Sequence, residues 1–374
     1  MKASIFCYSL KGKDTARRVY DIITKEYGAE VECFSPSRIA DEGGGYGRDV
    51  LEFEPGHDGE VLDPAFSGIP RPSGDFYGEH FRSKDLLISV GSVGICVRHV
   101  APYVKSKVTD PAVIVIDELG QHVIPVLSGH IGGANGISRV LAEGLESEAV
   151  ITTATDINGR FTVDEWAAKN NLAISSMIMA KDFAAAILER NLPFKTDFPY
   201  KGALPNGLNS QEDVSSNDLP YGEDTIGMYV TWTIREPFPR TLRLIPKCLA
   251  LGIGCRKGTP MESIEQAVRK TLKDNMIDIR AVDSIASIDL KKDEKGLLEY
   301  GRKMRIEPEF FTADELREVQ GDFTPSEFVK GITGVDNVCE RAALIKADKL
   351  IVKKTACDGV TVAVAVKDME VNFE

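Results

Sequence analysis

The sequence has no CxxC pair among its seven cysteines, no HxH or HxxxH pair among its five histidines, and no histidine after His130. The odd, scattered cysteines exclude a disulfide framework and a cysteine-based zinc site. They fit the reduced thiols of a cytoplasmic protein. The histidine pattern gives no reason to expect a metal held by the protein. No GKS or GKT tripeptide occurs, which excludes a Walker phosphate loop. Also missing is any run of roughly 18 apolar residues, the length of a membrane span. The opening MKASIFCYSLKGKD turns charged at once and shows no cleavage pattern. It reads as a buried first strand rather than a signal peptide. Basic charge is in deficit, with 45 Lys and Arg against 57 Asp and Glu, a net charge of −12. A phosphate backbone needs a basic face, so no nucleic-acid partner is expected.

What is present is ordinary for a globular chain: 374 residues, 43% hydrophobic, enough for two or three domains. Ala3–Tyr8, Asp14–Glu26 and Ala29–Phe34 read as strand, helix and strand. Residues 41–80 hold nine Gly and four Pro, a density that predicts a loop-like insertion. Regular structure resumes with short apolar strands at Leu86–Val90, Val113–Asp117, His122–Leu127 and Ala149–Thr153. Helices with period-3.6 apolar positions are interleaved with them. The ELGQ sequence between two of the strands predicts a hairpin turn. Residues 205–225 carry five acids and no Lys or Arg, as a linker would. Met228–Ile234 and Thr241–Pro246 read as strands. After them come a strand at Cys248–Gly252, helices at Met261–Leu272, Ala281–Ala286, Lys295–Met304 and Glu340–Lys346, and a closing strand pair, Leu350–Lys354 with Val360–Val366.

The expected fold class is therefore α/β. An N-terminal α/β region with short parallel-type strands spans 1–200. Linker and connecting strands span 201–246. A separate C-terminal α/β domain spans 247–374.

Three loops are candidate sites. SGHIGGAN joins a strand to a helix, and its glycines permit close backbone approach. Ser128, Gly129, Gly132, Gly133 and Asn135 would form an anion site at the helix start. His130, in the middle of that loop, would donate a hydrogen bond or move a proton near neutral pH. GSVG repeats the arrangement one unit earlier, with Gly91, Ser92 and Gly94 before a helix and Arg98 about one turn inside it. That arginine would clamp a carboxylate, or equally pair with an acid on the protein's surface. Asp117 and Glu118 end a buried strand, where α/β proteins place ligands, and either would serve as a general base. They fit equally well as turn residues of the ELG hairpin. Thr155 and Asp156, at the end of TATD, are further candidates. Asp164 and Glu165 read as charges at a helix start. In GIGCRKGTP, Gly254, Arg256 and Lys257 would bind an anion. The spacing is GxGxxxG and not the dinucleotide fingerprint, so a nucleotide enzyme is a minor reading.

Residues 88–145 (ISVGSVGICVRHVAPYVKSKVTDPAVIVIDELGQHVIPVLSGHIGGANGISRVLAEGL), 151–167 (ITTATDINGRFTVDEWA) and 251–268 (LGIGCRKGTPMESIEQAV), continued by 284–297 and 338–365, together resemble the CbiG family of cobalt-precorrin-5A hydrolases. The third block is also similar to CobE, a small stand-alone protein of the aerobic cobalamin route, so the C-terminal domain is expected to be CobE-like. The resemblance implies an enzyme of anaerobic cobalamin (vitamin B12) biosynthesis. It would open the δ-lactone of a cobalt corrinoid and release acetaldehyde, giving cobalt-precorrin-5B. The implied partner is that corrinoid, whose carboxylate arms suit the Gly loops. Cobalt would arrive inside the substrate, so no cofactor is expected. A homodimer and transient contacts with neighbouring pathway enzymes are further expectations, with no nucleic acid and no membrane among the partners. The catalytic base is expected among Asp117, Glu118 and His130, with loop N–H groups facing the oxyanion. The rival reading is a non-catalytic corrinoid carrier using the same loops.

Overall fold

Apolar runs without polar alternation mark strands buried on both faces, and the first unit, Met1–Asn158, is built on them. Strand β1 (Lys2–Cys7) leads to helix α1 (Leu10–Tyr27), then to β2 (Glu30–Pro36) and the short α2 (Ser37–Ala40). Next come β3 (Phe66–Ile69), α3 (Phe76–Ser83), β4 (Leu86–Val90), α4 (Val93–Val100) and β5 (Ala112–Ile116). A turn joins β5 to β6 (His122–Leu127). The unit ends with α5 (Ala134–Leu145), β7 (Glu148–Ala149) and α6 (Ala154–Ile157). The computed structural model describes residues 1–40, 64–71, 73, 75–210, 222 and 224–374.

The seven strands form one sheet in the order β3-β2-β1-β4-β5-β6-β7. β3 to β5 run parallel, β6 is antiparallel to β5, and β7 is parallel to β6. On one face Val19 and Ile23 of α1 and Leu141 of α5 pack on Ile5, Ile88 and Ile114. On the other face Tyr77, Phe81, Cys96 and Val100 pack on Phe6, Leu87 and Val113. Two features of this topology position the candidate sites of the first unit. The chain steps from β1 to one side and later returns to β1's other side with β4. This switch of direction opens a crevice at the C-terminal edge of the parallel strands. Because β6 runs backwards, the loop after it emerges at the opposite edge.

The second unit, Gly159–Glu374, holds two five-stranded sheets. Its first part comprises α7 (Val163–Lys169), β8 (Leu172–Ile174), α8 (Met177–Glu189), β9 (Leu192–Thr196), β10 (Tyr200–Lys201), β11 (Leu208–Ser210), β12 (Ile226–Val230) and β13 (Arg240–Pro246). Here the sheet order is β11-β9-β12-β13-β8. The second part comprises β14 (Leu249–Cys255), α9 (Met261–Asp274), β15 (Val282–Ile288), α10 (Lys295–Met304), β16 (Glu309–Phe311), α11 (Ala313–Glu318), α12 (Glu327–Thr333), α13 (Val338–Leu344), β17 (Lys349–Cys357), β18 (Val360–Val366) and β19 (Val371–Asn372). Its sheet order is β16-β15-β14-β18-β17, while β19 returns to pair with β10. One apolar core runs through both parts: Phe183, Phe194 and Leu244 share it with Leu251, Ile264 and Tyr300.

Several expectations are corrected. The boundary falls between Asn158 and Gly159, not near residue 200, because α7 to β9 contribute to the same core as the strands after them. Of residues 201–246, the two strands expected at Met228–Ile234 and Thr241–Pro246 are there as β12 and β13, but they belong to the core rather than to a linker, with Met228, Val230 and Leu242 completely buried. Within the Gly-rich stretch, 41–63 lies outside the described residues, but β3 and most of α3 stand where a loop was expected. β3 is held by parallel pairing to β2. Ala281–Ala286, expected as helix, belongs mainly to β15, between β14 and β16, where the β-branched Val282 and Ile285 suit a buried strand. The strand expected at Ala149–Thr153 ends at Ala149, and Thr153 becomes the N-cap of α6. All seven cysteines are free. Among the described residues no helix is long and apolar enough to cross a membrane.

Candidate active site

The SGHIGGAN loop follows β6, and its backbone folds on itself. The Ala134 and Asn135 N–H groups donate to Ser128 and Gly129 carbonyls at 3.2 and 2.9 Å, and Gly133 N–H donates to His130 O at 2.9 Å. Of the residues expected to form an anion site here (Ser128, Gly129, Gly132, Gly133 and Asn135), the Gly133 and Asn135 N–H groups are already used within the loop. The glycines serve packing instead. A Cβ on Gly129 would lie 2.7 Å from Asn135 Oδ1, and one on Gly132 would lie 2.5 Å from Ser128 Cβ. Close approach of Asn135 to the loop is what its side chain needs to reach inward.

What it reaches is Asp156. β7 runs beside β6, so the chain returns to the same edge and α6 delivers Asp156 against the loop. Asn135 Nδ2 donates to Asp156 Oδ2 at 3.1 Å and to Thr153 Oγ1 at 2.9 Å. Thr153 Oγ1 donates to Asp156, and Arg139 forms an ion pair with its other oxygen. His130 Nε2 lies 2.9 Å from Asp156 Oδ2, and Thr155 Oγ1 lies 3.5 Å from the same nitrogen. The Asp156 side chain is only 8% exposed. Burial alone would raise its pKa. The hydrogen bonds from Thr153, His130 and Arg139 outweigh burial and bring it down to about 2. The carboxylate is therefore ionised and must accept from His130. That places the ring proton on Nε2 and leaves Nδ1 as the basic nitrogen. A histidine oriented by a buried carboxylate is a general-base arrangement.

Asp117 and Glu118 lie elsewhere. They follow β5, while His130 follows the antiparallel β6, whose Leu127 pairs with Val113 at the start of β5. The five residues of β5 separate the two ends by roughly 13 Å at about 3.3 Å per residue. The three expected bases thus occupy two sites. Asp117 is a turn residue: its carboxylate accepts N–H bonds from Leu119, Gln121 and His122 at 2.9, 2.9 and 2.6 Å. Exposed Glu118 accepts from Ser9 Oγ at 2.7 Å, and Ser9 caps α1 at the β1/β4 switch point.

Gly91, Ser92 and Gly94 share that C-terminal edge. Gly91 has φ +150°, and its missing Cβ admits the Tyr8 ring. The guanidinium of Arg98 donates back to Gly94 O at 3.1 Å on its own helix and clamps nothing else among the described residues. In the second unit, Gly254 O accepts from Thr361 Oγ1, Arg256 N–H donates to Gly359 O, and Lys257 is exposed. The anion position of that loop is already filled, because Gly258 N–H donates to the Glu294 carboxylate at 2.9 Å. Gly252 serves packing: a Cβ there would lie 1.8 Å from Cys339 O of α13. Sequence reasoning missed Arg139. Its signal was the i, i+4 spacing from Asn135 on one helix face.

Two family models match the chain, Cobalamin synthesis G N-terminal over residues 75–156 and Cobalamin synthesis G C-terminus over 249–365. A cobalt-precorrin-5A hydrolase of Salmonella typhimurium is 31% identical over 372 residues, 97% of each chain. One of Priestia megaterium is 32% identical over 341 residues, 84% of this chain and 87% of its own. Protein CobE of a Sinorhizobium species is 31% identical over 121 residues, 31% of this chain and 79% of its own. The similarity to the hydrolases runs almost from end to end, and the chain belongs to the CbiG family.

Proposed function

We propose that this protein is a cobalt-precorrin-5A hydrolase of cobalamin biosynthesis, acting in the cytoplasm on a cobalt corrinoid that brings its own metal. The observation that carries this reading is the end-to-end match to the Salmonella typhimurium hydrolase. The arrangement around Asp156 supports a base at His130. His130, held through Nε2 by ionised Asp156, would accept a proton at Nδ1 from water as the water oxygen bonds to the lactone carbonyl carbon. The ring C–O bond then breaks and the proton passes to the departing oxygen. As the freed hydroxyl gives up its proton and becomes a C=O, the C–C bond to the macrocycle breaks, acetaldehyde leaves, and the electron pair passes into the conjugated macrocycle, which takes up a proton. Arg139, Thr153 and Asn135 act through Asp156 by fixing the carboxylate.

The test is anaerobic incubation with cobalt-precorrin-5A, trapping acetaldehyde and weighing the corrinoid. Stoichiometric acetaldehyde with the matching mass change supports the hydrolase. Tight binding without acetaldehyde supports a carrier and overturns the proposal.

A further inference from the structure

A cavity of about 220 Å³ opens at the C-terminal edge of the seven-stranded sheet, on the opposite edge from His130. At the ~30 Å³ that a water occupies in the liquid, it has room for about seven waters, enough for one small group. Tyr8 reaches it from the end of β1, His99 from α4, Tyr77 from α3, and Arg71 and Ser73 from the segment between β3 and α3. The His99 ring stacks on Tyr77 with centroids 3.8 Å apart and planes 10° apart. Its Nδ1 lies 3.1 Å from the Tyr8 hydroxyl. Burial pushes the His99 pKa down and that of Tyr8 up, so a neutral ring faces a protonated phenol. If Tyr8 donates to Nδ1, the ring proton is on Nε2 and is available as a donor. Arg71 adds a guanidinium that has no ion pair among the described residues. The His99 imidazole, the Ser73 hydroxyl and the Arg71 side chain line one small space, a set of groups that suits a planar anion.

We propose that this cavity binds a carboxylate, with Arg71 supplying the charge and His99, locked by Tyr8 and Tyr77, supplying a directed hydrogen bond. The carboxylate is either a free small acid or an acidic arm of a larger ligand. The proposal stands apart from the hydrolase reading, because none of these residues belongs to the His130–Asp156 cluster.

The probe is sodium propionate, titrated into the full chain and followed by ring Cε1–H NMR signals of its five histidines. A His99→Gln variant assigns the His99 signal. The expected result is a saturable shift of His99, weakened about tenfold or more in Arg71→Gln, with no shift from propionamide. Arg71 is exposed, so that variant keeps the fold, and the propionamide comparison needs no variant at all. The absence of a saturable His99 shift overturns the proposal. An equal response to propionamide, or unchanged affinity in Arg71→Gln, overturns it as well. Once binding is seen, the effect of propionate on turnover separates the two sources. Competitive inhibition marks an arm of the substrate, and binding without inhibition marks a free acid.

Discussion

Four side chains, Thr153, Asn135, Arg139 and His130, converge as donors on the carboxylate of Asp156. Its pKa of about 2 lies below the ordinary 3.8. An unfolded chain therefore binds this proton more readily than the folded one, and stability falls as the pH drops through that window. The Asp156 contribution should be complete above about pH 5 and lost between about pH 4 and 2. In urea unfolding across that range, Asp156→Asn should flatten the pH dependence. A variant with the parental slope would refute the assignment. The residue types of this site were legible: His130, Asn135, Thr155 and Asp156 were all candidates. Their union was not, because His130 and Asp156 are 26 positions apart and only the pairing of β7 with β6 brings them together.

At the scale of elements, the β5–β6 hairpin decides which acids work with which base. Its antiparallel register sends Asp117 to one edge and His130 to the other. The hairpin was legible in the sequence, and a hairpin of this length already makes β6 antiparallel to β5. Asp117 organises the turn, so Asp117→Ala should cost about 1–2 kcal/mol in denaturant unfolding and leave turnover within about twofold. A loss of turnover at unchanged stability would return Asp117 to the chemistry. Gly252 offers a second test. The apparent nucleotide signature around it is a packing device, since α13 crosses the sheet at the point where a Cβ would meet Cys339 O. Gly252→Ala should destabilise the second unit by about 3 kcal/mol or more, read as a lowered thermal midpoint. Ala281–Ala286 was expected as helix although Val282 and Ile285 favour a strand; the pairing of β15 with parallel strands on both sides is what decides it.

At the scale of the molecule, the α/β class and the strand-rich C-terminal part were legible from apolar runs and turn residues. The unit boundary was not, because it depends on which core the segment after Asn158 joins. The continuous core from Phe183 to Tyr300 predicts that residues 159–374 expressed alone melt as one cooperative unit by circular dichroism. Two separate transitions would argue that the two sheets of that unit fold independently. The central claim, though, is that a CbiG-family chain performs lactone hydrolysis with His130 as its base. It is tested most directly by single-turnover acetaldehyde release from cobalt-precorrin-5A under anaerobic conditions, comparing the parent with His130→Gln and Asp117→Ala. The account predicts stoichiometric acetaldehyde from the parent and from Asp117→Ala, with a rate lower by about 10²–10⁴-fold in His130→Gln. Equal rates in the parent and His130→Gln would contradict the assigned base, and a parent that binds the corrinoid yet releases no acetaldehyde would contradict the hydrolase itself.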